Sequence, residues 1–331
     1  MGKVGKSSYL FHHVYFCSNS SVVGKREKEG PLGSYFDKSY DCYDCKQKSF
    51  EKAEIQMLKD SVLIALNKEN LKPEDISICF SGDLNNQIIA SSYAQRDLQM
   101  PYFGIYNACA NLTEGMILSA FFIETFGGYA LNSFSSHRLT AERTFRYPNE
   151  YGMQRADTFT TTVTGAGSVI LTSIPKNIRI AKATIGKVID GDFTDPQDMG
   201  RAMAPACYYT IKRHLLDFNL TIDDYDLIIT GDLSKYGYSL LKDLFLEEKI
   251  NIQGKVVDSG MLIYQKSQDM KAGGSGCGCI GVVLSYIIRL LTTGRLNKVL
   301  LVATGALMTP CMLAQKESIP TIAHAISLEV E

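Results

Sequence analysis

The chain of 331 residues has no surplus of either charge. Its 34 lysines and arginines stand against 35 aspartates and glutamates, for a formal charge of -1. That balance removes the electrostatic case for nucleic acid as a partner. Long apolar runs are missing too: the longest, such as "VVLSYIIRLL", is broken by Arg289 and falls short of a membrane span. The opening "MGKVGKSSYLFHHVYF" lacks the apolar core and small-residue cleavage site of a signal peptide, so the expected address is the cytoplasm. The full Gly-x-x-x-x-Gly-Lys-Ser/Thr pattern of a phosphate loop does not occur in the sequence. Nine cysteines, an odd number scattered along the chain, do not frame a disulfide scaffold and are expected to be reduced thiols. Cys42 and Cys45 form one Cys-x-x-Cys with no second pair at metal-site spacing, so no metal site is expected.

What is present is the composition of a globular protein, 45% hydrophobic and 21% charged, long enough for two domains or one large α/β unit. The chain also echoes itself. "EDISICFSGDL" (74–84) returns as "DYDLIITGDL" (224–233), each an apolar strand ending in Gly-Asp-Leu and each preceded by a helical pattern. Downstream, "NACAN" opens a helix leading to the strand "YALNSFSS", and "GGSGCGCIG" opens "VVLSYIIRLLTTG", leading to "KVLLVATGA". Each half begins with a strand, "SYLFHHVYF" and "IAKATIGKVI", and closes with one, "GSVILTS" and "AISLEV". Two such halves, 1–175 and 176–331, imply two mixed sheets with helices between and around them. The helix N-termini of both halves then converge on a common site.

Cys109 sits at that convergence. In "GIYNACANLTEGMILSAFFIETF" a short apolar run enters a turn of small residues, and a helix leaves it from about Leu112. Unpaired N–H groups at a helix N-terminus stabilise a thiolate, which suits a nucleophile. The bland alternative is a buried structural cysteine, a common fate for this residue type.

The quoted segments "EKEGPLGSYFDKSYD", "NACANLTEG", "SSHRLTAERTFRYPNEYG", "TVTGAGSVIL", "FTDPQDMGRAMAPA", "DYDLIITGDLS", "AGGSGCGC" and "VATGALMTPCMLAQKESIPTIAHA" resemble the stage V sporulation protein AD family, within the thiolase and ketoacyl-synthase superfamily. The resemblance runs along essentially the whole chain. It implies an α/β, thiolase-like fold of two pseudo-duplicated halves in a layered αβαβα arrangement. It also implies a pattern for the site. Condensing enzymes of the superfamily pair the elbow cysteine with a histidine and a second histidine, asparagine or cysteine from the C-terminal half. Here the first place is taken by Asp232 or a neighbour and the second by Gly274 or Ser275. An ionised Asp232 would repel a developing enolate oxygen. His137 and His324 remain as substitutes for a rebuilt pair, while His12, His13 and His214 fall on strand or helix patterns and are expected to be structural.

Two further segments bear on ligands. "GCGCIG", from Gly276, satisfies a dinucleotide-binding spacing without a preceding strand, so close backbone packing is expected, with Cys277 and Cys279 as small packing residues. The connection from His137 to Thr164 has no obvious regular structure and interleaves Arg138, Arg143, Arg146 and Arg155 with Phe145, Tyr147 and Tyr151. Arginine forks suit carboxylates and aromatic faces suit planar rings, although pairing with Glu142, Glu150 and Asp157 is an equally ordinary fate. Residues 24–33, of mixed charge, are expected to be a solvated loop.

The family resemblance implies binding of dipicolinic acid, a flat pyridine with two carboxylates, taken up as the acid or its calcium chelate. It further implies membrane proteins of a spore channel system as partners, a peripheral place at the spore inner membrane on its cytoplasmic side, a role in sporulation and germination, and a homodimer. The expected pocket comprises Cys109, His137, Arg143, Arg146, Tyr147, Asp232, Ser275 and His324, without cofactor or catalysis. The competing expectation is an acyl transferase or condensing enzyme working through Cys109.

Overall fold

The computed structural model describes residues 1–145 and 155–331. Its core strands fall into two sets of five. The first set is β1 (Tyr15–Val23), β2 (Ile78–Asp83), β3 (Tyr102–Gly104), β4 (Tyr129–Ser136) and β5 (Gly165–Thr172). The second is β6 (Ile178–Thr184), β7 (Leu227–Thr230), β8 (Val256–Asp258), β9 (Lys298–Ala306) and β10 (Pro320–Val330). The spatial orders β3-β2-β4-β5-β1 and β8-β7-β9-β10-β6 are the same order written twice. In each, the third, second and fourth strands run parallel and the last two pairings are antiparallel. The sheets meet along β6, where Tyr15 pairs with Arg179 and the preceding strand Ser8–Leu10 pairs with Lys182–Thr184.

The helices repeat in step: α1 (Phe50–Lys68), α2 (Ile89–Leu98) and α3 (Asn111–Phe126) in the first half, then α4 (Met199–Phe218), α5 (Ser234–Glu247) and α6 (Cys277–Thr292). Contacts sort them into layers. α1 and α2 cover the outside of the first sheet, α4 and α5 cover the second, and α3 and α6 lie between. The expected αβαβα layering is what the molecule adopts. The buried faces show why α3 and α6 take the middle: Ile280, Val283, Leu284, Ile287 and Leu291 of α6 are all buried, as are Leu112, Met116, Ala120 and Ile123 of α3. Helices apolar over most of their circumference are stable only when covered on both sides, and each large aliphatic side chain so buried contributes about 2 kcal/mol.

The glycine segment is a packing device. A Cβ at Gly278 would come 2.5 Å from the carbonyl oxygen of Gly165, and one at Gly281 would meet the Phe134 ring at 1.8 Å. Glycine there lets α6 press onto the first sheet.

Four local expectations need correction. The first expected strand is broken: Ser8–Leu10 and Tyr15–Val23 are separate, and His12 and His13 lie exposed in the break, where their N–H groups donate to Glu124. The connection after His137 carries a helix, Arg138–Phe145, and a strand, Thr160–Thr162, which pairs with Gly273–Ser275. That last strand stands before the glycine segment, where none was expected. Residues 24–33 are not simply solvated: Glu27 is 2% exposed, accepting from the N–H of Thr164 at 3.1 Å and from the Tyr264 hydroxyl at 2.5 Å.

Candidate functional site: the cavity at Cys109

Cys109 stands two residues before α3, after Ala108, whose φ is 49°. A non-glycine residue in the left-handed region marks a strained corner, which aims Cys109 across the middle layer. Facing it is Asp232, from the corner after β7, with a φ of 69°. That corner is fixed by Asp258, at the end of β8. Asp258 accepts from Thr230 Oγ1 at 2.7 Å and from the N–H groups of Leu233, Ser234 and Gly260 at 3.1, 2.7 and 2.9 Å. Burial still pushes its carboxyl up to about 6.

Asp232 is less well provided. It is completely buried, and Oδ2 accepts one N–H, from Gly276 at 3.1 Å, while Oδ1 has no hydrogen-bond partner. The thiols of Cys109 and Cys279 lie against the same carboxyl. Burial drives the Asp232 carboxyl well above the usual carboxylate range. Burial, then the neighbouring Asp232, drives the Cys109 thiol up. Burial disfavours the charged form of both groups. The helix N-terminus therefore does not produce the thiolate that sequence position suggests, because desolvation outweighs the helix dipole. Burial likewise disfavours the ionised form of Asp232 that would repel an enolate oxygen there.

A narrow cavity of about 20 Å³ opens over Cys109, lined by Leu84, Tyr106, Phe145, Met199, Met203 and Met308, with Ser275 at its floor. Ser275 is 1% exposed and its Oγ has no hydrogen-bond partner. This space holds about one water and no aromatic ring without movement of its walls.

The remaining expected site residues divide. Cys109, Asp232 and Ser275 come together. His324 lies nearby but is engaged: Nδ1 accepts from the Gly186 N–H at 3.1 Å and Nε2 faces the Asn107 amide at 3.1 Å. Burial lowers its pKa to about 4, leaving it neutral. Because Nδ1 accepts, the proton is on Nε2 and needs the amide oxygen of Asn107, two residues before Cys109. His137 is not in the cavity wall. Its ring bonds to the Tyr43 carbonyl at 2.8 Å and stacks on Phe50. Arg143 is also elsewhere, paired with Glu51, and Arg155 pairs with Glu142 at 3.3 Å above the Phe159 ring. Arg146, Tyr147 and Tyr151 lie outside the described residues. Among the described residues no group of three or more His, Cys, Asp or Glu side chains is placed to hold a metal ion.

Sequence reasoning missed the methionine walls, Asp258 and Tyr106. Met199 and Met203, four apart on α4, were visible only as part of an apolar helix face. Nothing in the spacing said that this face turns toward Cys109.

The comparisons with known proteins agree with this architecture. The family model for stage V sporulation protein AD matches residues 5–329. The stage V sporulation protein AD of Bacillus subtilis (strain 168) is 48% identical over 334 residues, covering 99% of this chain and 98% of that protein. Among solved structures, 3-oxoacyl-[acyl-carrier-protein] synthase III from Aquifex aeolicus VF5 superposes with a TM-score of 0.63 at 13% identity, over 96% of this chain and 99% of its own. A variant of OleA from Xanthomonas campestris does so with a TM-score of 0.64 at 14% identity, over 97% and 99%. At such identity the two synthases speak for the fold alone. The chain thus belongs to the stage V sporulation protein AD family, a sporulation family built on the thiolase-like fold.

Proposed function

We propose that the cavity at Cys109 binds dipicolinate and that the protein is a binding component of the spore dipicolinate system rather than a catalyst. The observation that carries this reading is Ser275 Oγ, a buried polar atom without a partner in the wall of an otherwise apolar cavity, with Asp232 Oδ1, also without one, on the carboxyl that the Cys109 thiol lies against. Buried polar atoms left unpaired cost free energy that a ligand bearing carboxylates recovers. A protonated Asp232 and the Ser275 hydroxyl both donate to a carboxylate, and the N-termini of α3 and α6 favour negative charge at the same point. Methionine thioethers and the rings of Phe145 and Tyr106 suit the faces of a pyridine. No described arginine lines the cavity, which fits delivery as the calcium chelate, whose dication balances the two carboxylates.

Catalysis is disfavoured by the company of Cys109. Its polar neighbours are Asp232, Cys277 and the Gly276 N–H, and its thiol is protonated. No imidazole is among them to take a proton. Among the described residues no helix is long and apolar enough to cross a membrane. Passage of dipicolinate into the forming spore and out at germination would fall to membrane-embedded partners, beside which this protein works at the cytoplasmic face of the inner membrane. The edge strand β3, with Phe103 61% exposed, suits the pairing of two copies.

Calorimetric titration with dipicolinate, picolinate and an acyl-coenzyme A tests the reading. Saturable binding of dipicolinate, lost in Ser275→Ala together with Asp232→Asn, is the expected result. No dipicolinate binding, with an acyl mass shift on Cys109, would overturn it in favour of an acyl transferase.

A further inference from the structure

On the first-sheet side of the cavity two carboxylates are buried together. Glu54 of α1 and Asp83 at the end of β2 are both 0% exposed. They share one donor: Asn85 Nδ2 lies 2.9 Å from Glu54 Oε2 and 3.0 Å from Asp83 Oδ1. Ser135 Oγ donates to Glu54 Oε1 at 3.0 Å and Thr140 Oγ1 to Oε2 at 2.7 Å. The N–H groups of Asn85 and Ser91 donate to Asp83 at 2.9 and 2.8 Å.

Among the described residues no lysine, arginine or histidine forms an ion pair with either carboxylate. The charges on neighbouring helices are spent elsewhere: Arg143 on Glu51, and Arg96 and Lys59 on Asp97. The titratable groups that do face the pair are Cys277 of α6, Tyr102 of β3 and Tyr106. Two carboxylates bonded to one amide in a buried cage do not ionise together without mutual repulsion, so a proton on one of them is favoured. Burial, then Asp83, pushes Glu54 up to about 7, and burial raises Asp83 as well.

Each member of the pair is linked to a cavity wall, Asp83 directly and Glu54 through a short helix. Leu84 follows Asp83 directly. Phe145 ends the helix Arg138–Phe145, which Thr140 ties to Glu54, and Phe145 packs against the cores of both halves. Leu84 and Phe145 both line the cavity, which is too small for a ring as it stands.

We propose that the Glu54–Asp83 pair is a proton-operated spacer: with one carboxyl protonated it holds Leu84 and Phe145 close, and with that proton lost the two carboxylates repel and the walls part to admit the ligand. Glu54 and Asp83 are positioning residues in this scheme and touch no ligand. The proposal rests on the cavity being the ligand site, but its test has a readout independent of dipicolinate.

That readout is alkylation of Cys109 by iodoacetamide, followed peptide by peptide by mass spectrometry and expressed relative to Cys207. Cys207 is fully buried among the residues of the second core, so it corrects for global opening and for the general rise of thiolate with pH. Between about pH 6 and about pH 8 the ratio should rise about tenfold in the unmodified protein, the equivalent of one unit of proton linkage. It should stay flat in Glu54→Gln, which keeps the shape and loses the titration; Asp83→Asn is the second variant if the first folds poorly. A flat ratio in the unmodified protein, or the same rise in a folded variant, overturns the proposal. Dipicolinate affinity measured in parallel separates the two claims. A labelling rise without dipicolinate binding leaves the spacer standing and removes the ligand, whereas binding without the rise does the reverse.

Discussion

The motif Gly-Asp-Leu occurs at the same place in both halves, and its aspartates meet opposite fates. Asp83 is fully provided for: three hydrogen bonds, from the N–H groups of Asn85 and Ser91 and the Asn85 amide, hold both oxygens. Asp232 has one N–H, two thiols and an oxygen left over. In the second half the structural duty passes to Asp258, which accepts four bonds around the same corner. A duplicated scaffold thus needs one carboxylate per half to hold the strand-to-helix corner. Once Asp258 supplies it, Asp232 is free to lie against the Cys109 thiol. A residue's motif gives its place in the backbone, and only its hydrogen-bond neighbours say whether that place is structural or available to a ligand.

The comparison breaks most visibly on stability. Asp83→Ala orphans two backbone N–H groups in a buried cage, leaving the Asn85 amide only Glu54, and should cost about 3 kcal/mol or more. Asp232→Asn, which removes a poorly supported buried acid, should change stability by about 1 kcal/mol or less while abolishing dipicolinate binding. Urea unfolding and calorimetry on the two variants check the crossed pattern; equal losses of stability would show that the aspartates do the same job.

Thiol chemistry sharpens the same contrast. With its pKa raised by burial, Cys109 should alkylate more slowly at neutral pH than the exposed Cys311, by about tenfold or more, and its rate should still be climbing at alkaline pH. Rapid labelling at neutral pH would return Cys109 to the nucleophiles.

The pH dependence of stability tests the first-half cage. Glu54 has a folded pKa of about 7 against an ordinary value of 4.5, so between these values the folded state binds more protons than the unfolded. Stability contributed by this group is present at low pH and declines as pH rises through that window. Glu54→Gln should remove that part of the decline, read from unfolding midpoints across the window.

The smallest expected effect is at Arg143. Its partner Glu51 is also partly exposed, so Arg143→Ala should cost less than about 1 kcal/mol. Dipicolinate affinity should stay within about twofold, because the side chain is outside the cavity wall. A large loss of binding would restore the arginine-lined pocket expected from the sequence.

The fold was legible because it is written in periodicity. "YALNSFSS" is β4 to the residue, and the helix after Cys109 begins at Asn111, one residue from its expected start. The break at His12 and His13 was hidden because an apolar pattern continues across it. Of the site, Cys109 was legible from its strand-to-helix corner, and Asp232 and Ser275 because they fall where the family resemblance places the partners of that cysteine.

What remained illegible was electrostatic or lateral. The sequence shows Glu54 on a helix that reads as amphipathic, with no hint that it faces Asp83. It shows an arginine-rich connection in which pairing with Glu142 is an expected fate, as found for Arg155, but gives no hint that Arg143 is taken up by Glu51. By itself the sequence determined the duplicated order of strands and helices and the position of the corner, since those follow from short-range pattern and turn chemistry. Tertiary structure alone decided protonation, because charge state depends on how much water and how many donors the whole fold leaves around Cys109, Asp232 and Glu54.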